Sequence, residues 1–441
     1  MREKARGIYR FIQDNLYLCL PDMEVSGEKF NSTLLFEILS CLNNGKQMLF
    51  GEYGLGKTTS SEIVSAVMNA LPKEVVLASE IRGHPEQTEE KIVARPDLGK
   101  LNQGIETVLW SYFVLSPAKI IDEFNRLPAS KQNILLDGID RGNWKYLSEL
   151  VQTGDFTLFA TCNYEDLGNS ALIEPVLDRF DIATESKKPS LIQMATIKDI
   201  SSATRRILDD REIADKIFEI YSSKETSCEE KQEQTEKISS EYRKKLEQRL
   251  GIGLLSQDEL KKIRNEIDAV QFTNEAELFY TFALSELASC QQNGMKRANE
   301  QCIAGCHYAD YACSKIENGL SVRSALAIAK YAKTLAWLTG ENTAKATVEH
   351  IEKVLPYAIW HKTRFSEAFL ASFARDERTD PIKLYAAKQL VKAIKQRFTE
   401  QMPAISNYVC LMRDGKEAEA TEYVKEMDHP IFREFTMTEW R

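Results

Sequence analysis

Nine residues, Gly51-Glu-Tyr-Gly-Leu-Gly-Lys-Thr-Thr59, constrain the fold more than any other stretch of the chain. They follow an apolar run, Gln47-Met-Leu-Phe50, and precede an amphipathic one, Ser61-Glu-Ile-Val-Ser-Ala-Val-Met68, so the local order reads strand, glycine loop, helix. The spacing from Gly51 through Gly56 to Lys57 and Thr58 is that of a phosphate loop. Gly51, Gly54 and Gly56 let the backbone amides of Glu52, Tyr53 and Leu55 turn around an anionic phosphate chain, at a helix N-terminus whose partial positive charge adds to the attraction. In such a loop Lys57 reaches the β- and γ-phosphates and Thr58, followed by Thr59, offers its hydroxyl to Mg²⁺, which makes ATP and Mg²⁺ the expected ligands.

Composition narrows what that loop can serve. A chain of 441 residues has room for about two or three domains with ample core. Its 43% hydrophobic and 28% charged residues are those of a globular protein, and no window of about 18 apolar residues is present to span a bilayer. The start, Met1-Arg-Glu-Lys-Ala-Arg-Gly-Ile-Tyr9, carries charge without a following apolar run or small-residue cleavage site, so the expected location is the cytoplasm. Nine cysteines there argue for reduced thiols or metal ligands rather than a disulfide framework. A net charge of −9 offers no overall attraction to nucleic acid, although a local basic groove is compatible with it.

Residues 1–45 read as a helix, a turn region at Pro21-Asp-Met-Glu-Val-Ser-Gly27 and a second helix around Ser32 to Leu42, a lead-in to the first strand. Past the loop helix, Glu74-Val-Val-Leu-Ala-Ser79 has the look of a short strand, and Gly99 to Trp110 that of a hairpin turning at Asn102-Gln-Gly104. Ala118-Lys-Ile-Ile-Asp-Glu-Phe124 is an apolar strand ending in two acids, which places adjacent carboxylates at a C-terminal strand tip, where open α/β sheets bind ligands. There Asp122 is suited to the Mg²⁺ shell and Glu123 to deprotonating an attacking water. A further strand, Phe156-Thr-Leu-Phe-Ala-Thr-Cys-Asn163, ends in an amide able to hydrogen-bond both a γ-phosphate oxygen and that water. Arg179, in Glu174-Pro-Val-Leu-Asp-Arg-Phe-Asp181, lies just beyond the core strands.

Gly51 to Thr58, the run Ala118 to Pro128, Ala160-Thr-Cys-Asn163 and Leu177-Asp-Arg-Phe180 together resemble the AAA+ ATPases of the MoxR family, in the helix-2-insert clade. The resemblance covers about residues 40 to 185 and reappears in Gly319 to Lys333, which is similar to the family's lid helix. It implies an α/β fold: an AAA+ P-loop core with a parallel sheet and flanking helices, followed by an all-α lid and a helical C-terminal extension. It also implies a ring, usually of six subunits, with ATP at each interface, Arg179 reaching a neighbouring subunit and Arg323 touching the γ-phosphate as a second sensor. Relatives often act with a partner carrying a von Willebrand factor A domain. The loop departs from the family in having Glu52 and Tyr53 where two prolines are usual, and Glu52 adds negative charge near phosphate. Arg126 resembles a second position able to reach across an interface, or is a salt-bridged surface arginine. The hairpin at 99–110 and the stretch Arg141 to Asp155 resemble the clade's two insertions, where nucleotide state is passed to a client.

The implied domains are 1–45, a helical lead-in; 46–188, the nucleotide-binding core; 189–365, the lid; and 366–441, the extension. After Lys187-Lys-Pro-Ser190 helical spacing takes over. Within the lid, Glu229 to Leu250 carries a thin apolar seam, Gly251-Ile-Gly253 breaks it, and Ser256-Gln-Asp-Glu259 is a capping box opening a second helix with a stripe at Leu260, Ile263, Ile267 and Val270. This reads as a charged helical hairpin near 225–270 projecting from the lid, either a partner arm or a solvated spacer. Cys290, Cys302, Cys306 and Cys313 follow in one window, and on a helix the last three share a face. They are suited to structural Zn²⁺ or an iron–sulfur cluster, or to packing as small hydrophobes; His307 points about 100° away. The functional reading is a ring-forming ATPase that remodels or matures a protein partner. Two alternatives are a nucleic-acid motor, opposed by the acidic balance, and an ATP-gated scaffold with little turnover, opposed by intact Lys57, Asp122 and Glu123.

Overall fold

A computed structural model describes the chain except residues 105, 155, 165–171, 201–203, 205, 289–309, 341–343, 426, 428, 430 and 433–441. The chain divides into two compact units, Met1–Ala269 with Trp337–Glu341, and Val270–Ala336 with Asn342–Arg441.

The first unit is α/β. Helix α1 (Arg2–Phe11) runs into a π-helical turn, Ile12–Leu16, and the expected turn region is a small hairpin, β1 (Met23–Val25) with β2 (Glu28–Phe30). The Asn31 side chain accepts from the Leu34 N–H and so caps α2 (Ser32–Asn43). Then come β3 (Lys46–Phe50), the glycine loop, α3 (Lys57–Asn69), α4 (Lys73–Ala78) and β4 (Ile81–Arg82). A peripheral segment follows: α5 (Glu89–Ile92), β5 (Ala94–Pro96), α6 (Leu98–Leu101), β6 (Val108–Trp110) and α7 (Tyr112–Leu115). The chain re-enters the sheet through β7 (Ala118–Asp122), leaves by α8 (Ala129–Arg141), makes the hairpin β8 (Asn143–Tyr146) and β9 (Glu149–Gln152), and returns by β10 (Thr157–Cys162), α9 (Glu174–Leu177) and β11 (Ile182–Glu185). The central five-stranded sheet has the order β11-β3-β10-β7-β4, every pair parallel. Its strands are mostly apolar, with Met48, Leu49, Ile120, Ile121, Leu158 and Phe159 buried, because a parallel sheet is covered on both faces. All strand tips therefore point to one edge, where the loops after β3, β7 and β10 meet.

Three expectations are corrected. The run expected as a strand at 74–79 is instead the helix Lys73–Ala78 with Ser79 at its C-cap: Pro72 at the N-cap presets the turn, and the buried Val75, Val76 and Ser79 are spaced as on a helix face. The hairpin expected at 99–110 has its strands instead at 94–96 and 108–110, pairing Ala94 with Trp110 and Pro96 with Val108. Gly99 to Leu101 is a helical turn because the Asp97 side chain accepts from the Gly99 N–H at 3.0 Å. The two charged helices, Cys228–Leu250 and Gln257–Ala269, do not project as an arm but lie within the first unit. Their seams are used for packing: Tyr242, Leu246, Leu260, Ile263 and Ile267 are buried, the Tyr242 hydroxyl donates to the Leu208 carbonyl at 2.8 Å, and Lys4 pairs with Glu259 at 2.7 Å. The capping box is present, with the Ser256 N–H donating to Glu259 Oε2 at 2.8 Å and the Glu259 N–H to Ser256 Oγ at 3.1 Å.

The second unit is helical. The helices Asn274–Ala288, Val348–Ile359 and Ile382–Arg413 pack on one another, and the described residues after Glu185 contain only the isolated bridges Phe272 with Ala346 and Ile316 with Phe365. Glu286 is fully buried here and paired with Arg397 at 2.6 Å. Among the described residues no helix is long and apolar enough to cross a membrane.

Candidate active site

At the tip of β3 the loop makes its turn through Gly51, Gly54 and Gly56, at φ of 150°, 75° and 76°. A β-carbon would meet the Ser186 carbonyl oxygen at 3.0 Å if placed on Gly51 and the Tyr17 ring at 3.2 Å on Gly56, so space and backbone conformation both require glycine at these positions. Glu52, Tyr53 and Thr59 face solvent, and Leu55 and Thr58 are half-buried. Lys57 is buried, donating to the carbonyls of Gly51 at 2.9 Å and Glu52 at 2.7 Å, and burial lowers its pKa although Asp122 and Glu123 oppose this.

The loop is tied to the strand tips by hydroxyls. Thr58 Oγ1 and Thr161 Oγ1 each donate to Asp122 Oδ1 at 2.6 Å, and Thr161 Oγ1 in turn accepts from the Glu123 N–H at 2.9 Å. This sets Asp122 beside the Thr58 hydroxyl, an oxygen donor set suited to Mg²⁺. Between the two acids the backbone reverses: Glu123 sits in the left-handed region, φ 50° and ψ 48°, so its side chain leaves the strand direction. Asn163 Nδ2 donates to Glu123 Oε1 at 3.3 Å and Arg126 pairs with Oε2 at 2.6 Å, while Asn125 Nδ2 holds the Asn163 carbonyl at 3.0 Å. Gly83 fits against this turn, its N–H donating to the Asp122 carbonyl at 2.7 Å; a β-carbon on it would lie 2.0 Å from the Glu123 carbonyl oxygen. Below lies Glu80, its side chain 1% exposed and 3.2 Å from Arg82 Nε, with its pKa pushed up to about 7 by burial and then by the Asp122 charge.

Lys57, Thr58, Asp122, Glu123 and Asn163 thus converge. Arg179 has other contacts: its Nη1 donates to the Pro175 carbonyl at 2.7 Å and its Nε lies 3.9 Å from Asp140. Arg323 is exposed in the helix Val322–Thr339 of the second unit. Cys290, Cys302 and Cys306 lie outside the described residues; Cys313 is buried, and the described residues hold no cluster of three or more His, Cys, Asp or Glu able to bind a metal. Sequence reasoning missed Thr161, Asn125 and Gly83. Thr161 carried a signal, since two residues before Asn163 on a strand it shares its face.

A phosphate loop before a helix, opposed across parallel strands by an acid pair and an amide, defines a P-loop ATP hydrolase. Residues 46–180 match the family model described as AAA domain (dynein-related subfamily), and residues 309–382 match that of the AAA lid domain. The chain therefore carries an AAA ATPase domain at 46–180 and an AAA lid domain at 309–382. A crystal structure of a candidate ATPase from Cytophaga hutchinsonii superimposes with a TM-score of 0.55 at 18% identity, covering 90% of this chain and 94% of that one, a likeness of fold. Among curated proteins no sequence matches.

Proposed function

We propose that the chain is a MoxR-type ATPase that assembles into a ring, usually of six, and uses ATP hydrolysis to remodel or mature a protein partner in the cytoplasm. The observation that best supports this reading is that two antiparallel hairpins, β5–β6 and β8–β9, flank β7 in sequence, the strand that carries the acid pair. In this reading the backbone from Gly51 to Thr59 wraps the phosphates, Lys57 holds the β- and γ-phosphates, and Thr58 and Asp122 hold Mg²⁺. Mg²⁺, when bound, neutralises charge growing on the phosphate oxygens. Glu123 takes the proton of the attacking water, and Asn163 orients that water. The Arg126 pair does not block this: both partners are partly exposed, so it is worth about 0–1 kcal/mol, and a carboxylate keeps lone pairs beyond its two present bonds. Arg179 acts on the γ-phosphate of a neighbouring subunit and Arg323 acts from the lid.

The partner is a protein, and one with a von Willebrand factor A domain fits the resemblance best. A structural Zn²⁺ or iron–sulfur cluster at the four cysteines rests on their spacing alone, and elemental analysis with chelation decides it. To test the functional reading, Glu123→Gln protein held in ATP is sized by light scattering and its co-eluting molecules are identified. A ring mass with a protein partner supports the reading; a monomer, or a co-eluting nucleic acid without protein, contradicts it.

A further inference from the structure

β7 is an interior strand of the sheet, between β10 and β4, yet its second residue is a lysine only 1% exposed. Alternation along the strand sends Asp122 to one face and Lys119 to the other. The Lys119 ammonium donates to the carbonyls of Phe113 at 2.7 Å, Val114 at 3.0 Å and Ser116 at 3.0 Å, the acceptors that the end of α7 leaves without helical partners. The rings of Phe113, Trp144 and Phe156 surround it, with centroids at 5.2, 5.6 and 5.0 Å. A buried ammonium without partners costs several kcal/mol, so these six contacts are what make the residue tolerable there. Burial pushes its pKa down to about 7, while the carbonyls and ring faces favour the charged form.

The partners come from separate elements. α7 follows the β5–β6 hairpin, Trp144 belongs to β8, and Phe156 directly precedes β10, the strand that Asn163 follows. Trp144 is itself clamped: its Nε1 donates to Thr153 Oγ1 at 3.1 Å, and a β-carbon on Gly138 of α8 would lie 2.2 Å from its ring. One ammonium therefore joins the bases of both hairpins to the strands bearing Asp122, Glu123 and Asn163.

We propose that Lys119 is a positioning residue that couples the hydrolysis site to the β8–β9 hairpin, a proposal that rests on the chain being an ATPase. Lys119 stands three residues from Asp122, about 10 Å along a stiff strand, so a displacement of the acid pair moves the ring cage and with it the base of the hairpin. Load on the hairpin returns to Glu123 by the same route.

The test uses the full chain carrying Lys119→Met, with steady-state ATP kinetics and hydrogen exchange of the 143–152 amides with and without ATP. Because the glycine loop is untouched, KM stays within about twofold while kcat falls about ten- to hundredfold. ATP alters hairpin exchange in the wild type and not in the variant. Trp144→Phe, which keeps a ring in the cage, serves if Lys119→Met does not fold; it retains KM and loses part of the hairpin response. A folded Lys119→Met with wild-type kcat and an intact hairpin response overturns the proposal, as does an unaltered response in Trp144→Phe. A wild-type chain that binds ATP without turnover refutes the ATPase assignment, and the exchange arm still decides the coupling: no hairpin response in the wild type overturns it.

Discussion

Asp122 and Glu123 are neighbours in sequence with different surroundings, because the backbone turns to φ 50° between them. Asp122 stays in register with β4 and takes two hydroxyls, while Glu123 swings to Asn163 and Arg126. The pair itself was legible in the sequence, since two acids after an apolar run mark a strand tip. Two of its neighbours were less legible: Gly83 matters through a close approach between distant segments, and Arg126, read as an interface or a salt-bridged arginine, had no named partner until that left-handed turn brought Glu123 to it. A third acid supplies a pH prediction. Glu80 has a folded-state pKa of about 7, above its ordinary 4.5, so between those values the native state holds more protons than the unfolded one and stability falls as pH rises. Glu80→Gln removes that fall: denaturant midpoints for variant and wild type coincide below pH 4.5, and above pH 7 the variant is more stable by about 3 kcal/mol. Equal midpoints at pH 8 would show that Glu80 is ionised without cost.

At the scale of elements, β3, β7 and β10 were readable because buried parallel strands are largely apolar runs, whereas the short β4 and β11 were not read, and the Ser256 capping box was readable because its spacing is local. The misread segments were those where a short-range cap outweighs composition. Pro72 makes a helix of a valine-rich run, and Asp97 makes a helical turn of Gly99 to Leu101. The charged helices at 228–269 were misplaced for a different reason: a thin seam does not reveal which surface it covers, and here it covers the core. Gly138 gives an element-level prediction. Gly138→Ala forces the Trp144 ring from its seat against α8 and destabilises the first unit by about 1–3 kcal/mol, as overpacking does. Urea denaturation followed by tryptophan emission checks it, and an unchanged midpoint would mean that the ring has room to move.

For the whole molecule, the proposed ring makes turnover depend on assembly through Arg179, whose contacts within its own chain include the Pro175 carbonyl and a loose ion pair with Asp140. Arg179→Ala keeps ATP binding and loses hydrolysis by about 10³ to 10⁵, the range for a guanidinium supplied from outside a phosphate site. Mixing it with Glu123→Gln subunits restores activity where an intact acid meets an intact arginine. Mixed rings verified by mass that stay inactive would remove Arg179 from that role. Beneath all of this lies the claim that Glu123 does chemistry while Lys57 and the glycine loop bind. Glu123→Gln, assayed side by side for ATP affinity and turnover, tests it most directly. The account predicts affinity close to that of the wild type with turnover lower by about 10²-fold or more; a Glu123→Gln chain that hydrolyses ATP at the wild-type rate would contradict it.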